Sequence, residues 1–253
     1  MDGVTHGNHD VESILSYPEA FKAYNARWSG STSNLYYSFD VVGTHIFLLG
    51  SCTDFNPESD QYEWLFADLA KVDRTVTTWL IALLHTPWYN TNKSHEGSSD
   101  SMRKVKEEML YKARVDVVYA SHVHAYERFT RVYDKKEDPC GPVYVTIGDG
   151  GNREGLAMSY VRTCKLICSL VVNYSSKYEK PSPSISLYRE PSFGHGRLRI
   201  VNNTHAYRSW HRNNEPDSNV GDEVWLESLS SSSACMQVLN GQESPSKFVT
   251  DEL

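Results

Sequence analysis

The chain has 253 residues, of which 40% are hydrophobic and 23% charged, and its formal net charge is -7. These values suit a globular protein of one large or two small domains. An acidic balance without a basic stripe excludes binding through a nucleic-acid backbone. No apolar run approaches the ~20 residues that span a bilayer, so neither nucleic acid nor membrane is an expected partner.

In chain order, Gly3-Val-Thr-His-Gly7-Asn8-His9-Asp10 reads as a strand end running into a loop. Tyr36 to Asp40 and His45 to Leu49 are β-rich runs joined by a hairpin around Gly43. Ser59 to Val72 reads as a helix with Asp60 as N-cap and an apolar stripe of Tyr62, Leu65, Phe66 and Leu69. Thr77 to Leu84 is a buried strand that ends at His85. After a polar loop with Asn92, Ser94 and His95, residues Asp100 to Ala113 form a charged helix with Met102, Val105, Met109 and Leu110 inward.

That helix delivers the chain into Val115 to Ala120, an apolar, β-branched run followed by Ser121-His122-Val123-His124. If the backbone stayed extended, His122 and His124 would share one face. Shorter strands follow at Phe129 to Tyr133, Val143 to Ile147, Ser184 to Arg189, Gly196 to Val201, Ala206 to His211 and Glu223 to Leu229, and a Ser-rich tail fills 230–253. Twice a helix feeds a buried strand whose C-terminal end carries histidine, which is α/β organisation with a site at the strand ends.

Four stretches combine His or Asn with such an end: Gly7 to Asp10, Leu83 to His85, Asn92 to His95, and Ser121 to His124. Imidazole and amide oxygen suit borderline divalent metals, so a metal cluster is the better reading than four solvated loops. His6, His45, His195, His205 and His211 lack that setting and are read as structural. The five cysteines (Cys52, Cys140, Cys164, Cys168, Cys235) are scattered and leave the redox compartment open. Sequons at Asn92, Asn173 and Asn202 lean towards a secretory origin, although the N-terminus has no signal-peptide pattern.

G-N-H-[D/E], H-x-P-W-Y-N, [G/S]-H-V-H-A-Y-E-R, the T-I-G-D-G-G-N turn and S-F-G-H-G at Ser192 to Gly196 occur in this order. Together they resemble a plant purple acid phosphatase of the calcineurin-like metallophosphoesterases, over most of residues 1–229. The resemblance implies an α/β fold of the α+β kind: a β-sandwich of two mixed sheets flanked by helices, incomplete at the N-terminus. Residues 1–133 would be the C-terminal portion of the metallophosphoesterase domain and 134–229 the family's C-terminal region. An atypical insertion occupies 161–176, either a retained intervening sequence or a surface insertion.

The resemblance further implies a hydrolase that cleaves phosphate monoesters at a dinuclear centre of Fe(3+) beside Zn, Mn or Fe. Asn8, His85 and His122 would bind the divalent metal and His124 the ferric ion. His9 would contact the phosphate along with Asn8 and His95, and His95 would protonate the leaving group while metal-bound hydroxide attacks. A homodimer, glycosylation, and secretion to cell wall or vacuole are implied likewise.

The family's D-x-G and G-D-x-x-Y motifs lie before G-N-H-[D/E], and seven residues precede Asn8 in this sequence. The ferric site is therefore expected to keep only His124. This motivates an alternative reading, an impaired homologue that binds one divalent metal or phosphate without turnover, and weak or no turnover is expected of this stretch alone. A related phosphodiesterase or nuclease is disfavoured by the Trp-Tyr-Asn and Ala-Tyr-Glu-Arg contexts. Asp149 reads as structural, and Ser121, where Gly is usual, costs roughly 1 kcal/mol if positive φ is needed there.

Overall fold

The computed structural model describes residues 6–11, 21–27, 34–159, 184–214 and 220–235; the 161–176 segment and the tail beyond Cys235 lie outside them. A single 3-10 turn, Asn8–Asp10, replaces the expected strand end, and α1 (Lys22–Arg27) follows it. The chain then forms β1 (Tyr37–Val41), β2 (Thr44–Leu49), α2 (Asp60–Leu69), β3 (Trp79–Leu84), α3 (Asp100–Lys112), β4 (Val117–Ala120) and β5 (Tyr126–Tyr133). It continues through β6 (Lys136–Glu137), β7 (Val143–Ile147), β8 (Ser186–Glu190), β9 (Gly194–Ile200), β10 (His205–Arg212) and β11 (Val220–Glu227).

The larger sheet is mixed, in the order β1-β2-β3-β4-β7-β5-β6, with β8 also on β5. Its centre, β2-β3-β4-β7, is parallel. These strands are the near-continuous apolar runs of the sequence, which is what burial on both faces requires. On one face α2 and α3 pack Leu65, Leu69, Met102 and Leu110 against Phe47, Leu80 and Leu84. The other face meets the smaller sheet β11-β10-β9, whose described strands are antiparallel. Trp79, Val117, Tyr126, Val145, Trp210 and Leu226 form the core between the sheets. No helix among the described residues is long and apolar enough to cross a membrane.

Local chemistry accounts for the element ends. Val42 and Gly43 both take positive φ (36° and 73°), as a two-residue hairpin loop matched to strand twist demands. Ser59 caps α2, its side chain accepting from Tyr62 N at 3.3 Å, so the cap is one residue before the expected Asp60. Within the expected stripe Leu65 and Leu69 are buried, but Phe66 is exposed and Gln61 takes an inward place. Gln61 is drawn in because its side-chain amide bonds Gly50 N (2.8 Å) and Thr53 Oγ1 (2.7 Å) of the preceding loop.

The inner face of α3 is likewise less apolar than its sequence stripe implies. Arg103, Lys106 and Glu107 are buried beside Met102 and Leu110, while Val105 is only partly so. Arg103 and Glu107 pair at 2.6 Å, and Glu107 also accepts from the buried Tyr89 hydroxyl.

One buried carboxylate joins three parts of the chain. Asp116 accepts from Leu80 N (2.8 Å), Leu229 N (2.6 Å) and Arg74 Nη2 (2.9 Å), with no solvent exposure. Asp116→Ala would leave two buried amide donors without their acceptor and take from Arg74 its carboxylate partner. A loss of about 3–5 kcal/mol is expected in urea unfolding, the range for breaking a buried pair at one partner. A loss under about 1 kcal/mol would show that the cluster is dispensable.

Candidate metal centre

The parallel register sets the site. Leu49 pairs with Leu84, and Leu84 with Ala120, so the strands stop level with one another. The next residues, His85 and Ser121, are therefore neighbours, and Ser121 N donates to His85 O at 2.9 Å. Beyond Ser121 the chain does not stay extended. His122 has φ 60°, and Val123 N bonds back to Ser121 O at 2.6 Å. An i to i+2 bond over a positive-φ residue is the rare, strained sense of a γ-turn. The shared-face expectation for His122 and His124 depended on an extended backbone, which this turn replaces. Positive φ falls on His122 and not on Ser121, so the expected cost of Ser121 does not arise.

His85 Nε2 lies 2.8 Å from Asn8 Oδ1 and 3.0 Å from His122 Nδ1. His95, also at positive φ (60°), puts its exposed ring 3.8 Å from that of His122, centroid to centroid. His124 turns the other way, Nδ1 facing Gly155 O at 3.1 Å and Glu154 Oε2 at 3.9 Å. Glu154 also approaches His9 Nε2 at 3.4 Å. The geometry thus gathers Asn8, His85, His122 and His95 into one group and leaves His9 and His124 beside Glu154.

Burial first, and then the neighbouring His6, His9, His95 and His124, push the His85 imidazole down to about 4. His122 is pushed down to about 4 as well, by burial and then by His85, His95, His124 and His9. Both rings are neutral above that range and keep a nitrogen lone pair, which a cation requires. Among the described residues no three His, Cys, Asp or Glu side chains form a metal-holding group by themselves. The converging set is one amide oxygen with two neutral imidazole nitrogens, a donor chemistry that fits a borderline divalent ion.

The His95 loop is held from below. Thr91 N donates to Glu127 Oε2 (3.0 Å) and the Thr91 hydroxyl to the other oxygen of that carboxylate. Ser186 Oγ adds a third bond to Glu127 at 2.6 Å, and Asn92 Nδ2 donates to Ala157 O at 2.7 Å. This engagement leaves Asn92 fully buried, so its sequon is closed in the folded chain. Asn202 is exposed in the β9–β10 turn, and Asn173 lies outside the described residues.

Of the histidines read as structural, His6 is buried between Phe21 and Tyr24 and lies near enough to His85 to depress it. His45 bridges Asp40 (2.8 Å) and Asp68 (2.9 Å) at the N-terminal end of β2, opposite the C-terminal ends that carry the site. Asp149 is buried and accepts from Trp210 Nε1 at 2.8 Å, in keeping with a structural role. Sequence reasoning missed Ser121 and Glu154 as neighbours of the site. Ser121 was legible only as a departure from glycine, and Glu154 carried no signal.

The calcineurin-like phosphoesterase family matches residues 3–126, and the iron/zinc purple acid phosphatase-like protein C family matches residues 141–223. Over 258 aligned residues the chain is 54% identical to purple acid phosphatase 22 of Arabidopsis thaliana, which covers 99% of this chain and 53% of the relative. It is 36% identical to the Fe(3+)-Zn(2+) purple acid phosphatase 12 of the same plant, over 88% of this chain and 48% of that one. A solved purple acid phosphatase from yellow lupin (Lupinus luteus) seeds superposes with a TM-score of 0.69 at 19% identity. That match covers 87% of this chain and 39% of the lupin chain, and it shows the fold. The chain spans about half the length of the curated relatives it matches.

Proposed function

The chain belongs to the purple acid phosphatases, and on that premise we propose that it contributes the divalent-metal and leaving-group side of a site that hydrolyses phosphate monoesters. The observation that carries this is the convergence of Asn8 Oδ1, His85 Nε2 and His122 Nδ1, with the His95 ring against His122. Asn8, His85 and His122 would hold zinc, manganese or ferrous iron. Such an ion acts as a Lewis acid on a phosphoryl oxygen and lowers the pKa of water. His124, beside Glu154, would be this chain's ligand to the family's ferric ion.

The remaining roles fall to side chains of this chain. His95 is exposed and adjoins His122, so its imidazole can pass a proton to an oxygen leaving from phosphorus. His9 is exposed beside Glu154 and can donate a hydrogen bond to a phosphate oxygen. Glu127 keeps the loop bearing His95 in register through Thr91. The Cys140–Cys235 disulfide supports a secretory destination such as cell wall or vacuole, since such bonds persist in oxidising compartments.

The test is turnover of an aryl phosphate at acid pH by the chain supplied with zinc and ferric iron, alongside zinc titration. His95→Ala is expected to leave zinc affinity unchanged and to lower whatever turnover is present by about 10²–10⁴-fold, the usual weight of general acid catalysis. Turnover indifferent to His95 overturns its role. Tight zinc binding with no turnover at all favours the second reading, a homologue that binds without catalysis.

A further inference from the structure

We propose that Ser121 is a positioning residue for the divalent site, setting which nitrogen of His85 carries the proton; this rests on the metal reading above. Ser121 Oγ lies 2.9 Å from His85 Nδ1 and 3.4 Å from His85 O. The opposite nitrogen, Nε2, is the one that faces Asn8 Oδ1 and His122 Nδ1. A neutral imidazole holds a single proton, on either Nδ1 or Nε2.

A cation among Asn8, His85 and His122 needs the Nε2 lone pair, and so needs the proton on Nδ1. A buried Nδ1–H needs an acceptor. Ser121 Oγ is the only side-chain partner of Nδ1 among the described residues. It can accept because its own proton has somewhere to go: the hydroxyl donates to His85 O. The result is a closed relay, Nδ1–H to Oγ and Oγ–H to the carbonyl of the same histidine. Metal-ligating histidines depend on such a partner for tautomer and ring orientation.

The strand register explains why the group comes from position 121. Ser121 directly continues β4, as His85 continues β3, and the paired ends bring Ser121 N onto His85 O at 2.9 Å. The hydroxyl is thus delivered by the same backbone contact that aligns the strands, and its place does not depend on a mobile loop. A glycine at 121 would keep the backbone bond and omit the relay. Ser121 therefore distinguishes this chain's divalent site from one with glycine at that position.

The experiment compares the unaltered chain with Ser121→Ala, Ser121→Gly and Ser121→Thr, measuring zinc affinity by calorimetry and the ¹⁵N resonances of His85 in the metal-free and zinc-loaded chain. His85→Gln identifies the signals. Ser121→Ala and Ser121→Gly are expected to bind zinc about 10–100-fold more weakly. Their His85 Nδ1 resonance should move in the metal-free chain, and Nδ1–H should exchange faster with water in the zinc-loaded chain. Ser121→Thr, which restores a hydroxyl, is expected to recover all three. Unchanged affinity in the alanine and glycine variants, with the unaltered chain binding zinc, overturns the positioning role alone. An unaltered chain that takes up no zinc overturns the metal reading, and this inference with it. Urea unfolding of each variant separates a loss of affinity from a loss of fold.

Discussion

Replacing His122 with glycine is expected to remove tight zinc binding while leaving the metal-free chain about as stable as before. Two effects of opposite sign meet at this residue. His122 Nδ1 lies 3.0 Å from His85 Nε2, inside the converging donor set. Losing a ligand should cost more than losing a residue that only orients one, which is worth about 10–100-fold, so a drop beyond about 100-fold is expected. The backbone argues the other way. At φ 60° a side chain with a Cβ is strained by roughly 1–2 kcal/mol, and glycine relieves that strain. Glycine also gives the unfolded chain more freedom, which offsets about 0.5–1 kcal/mol of the relief.

The net change in urea unfolding should therefore lie within about 1 kcal/mol of zero. Calorimetric titration with zinc and unfolding of the metal-free chain check the two halves separately. A destabilisation of several kcal/mol with zinc affinity retained would make His122 a core residue and sink its place in the site. The expected pattern is that of local strain kept at a functional position by the surrounding structure.

The double variant Cys140→Ser/Cys235→Ser is expected to lose roughly 4–5 kcal/mol of stability. Cys140 sits between β6 and β7 and Cys235 follows β11, with a sequence separation of 95 residues. Cross-linking a loop near 100 residues long removes about 4.7 kcal/mol of chain entropy from the unfolded state in the loop-closure account. A domain's entire margin is only about 5–15 kcal/mol. The bond seals a small cluster of Cys140, Leu229 and Cys235, against which Tyr111 packs from α3. Urea midpoints for oxidised, reduced and double-variant protein provide the check. Agreement between the reduced and double-variant values, both well below the oxidised chain, is the expected result, and coincidence of all three would show that the cross-link adds nothing.

The sequence made the parallel centre of the fold easy to read and the site only partly so. Trp79 to Leu84 and Val117 to Ala120 are apolar enough, and short enough, that only a doubly covered strand suits them. The strand ends then placed His85 and His122 by elementary topology. What a linear pattern could not carry was backbone sense: the γ-type turn at His122 depends on where Val123 N finds a partner, and extended alternation was the natural first assumption. The Asp60 cap differed for a similar reason, since Ser59 and Asp60 are both good caps and only the bond to Tyr62 N decides between them. Cys140 and Cys235 gave no pairing signal because their partnership exists only once the segment after β11 has returned to Thr78 and Asp116, beside the larger sheet. Gln61, Arg103 and Lys106 broke the apolar stripes because polar groups on an inward face become visible only with their surroundings.

The return of the segment after β11 also bears on how quickly the molecule can reach its native state. Ser228 Oγ donates to Thr78 O at 2.5 Å across 150 residues, and Leu229 N to Asp116 at 2.6 Å across 113. The strands that carry His85 and His122 are thus completed at their N-terminal ends by one of the last described segments. Contacts of such sequence separation are slow to form, because a long loop must close before any of them is rewarded. During synthesis the early strands can align, yet Asp116 lacks one of its three donors until residue 229 has emerged. Commitment to the native state is therefore a late event, set by the segment around Leu229.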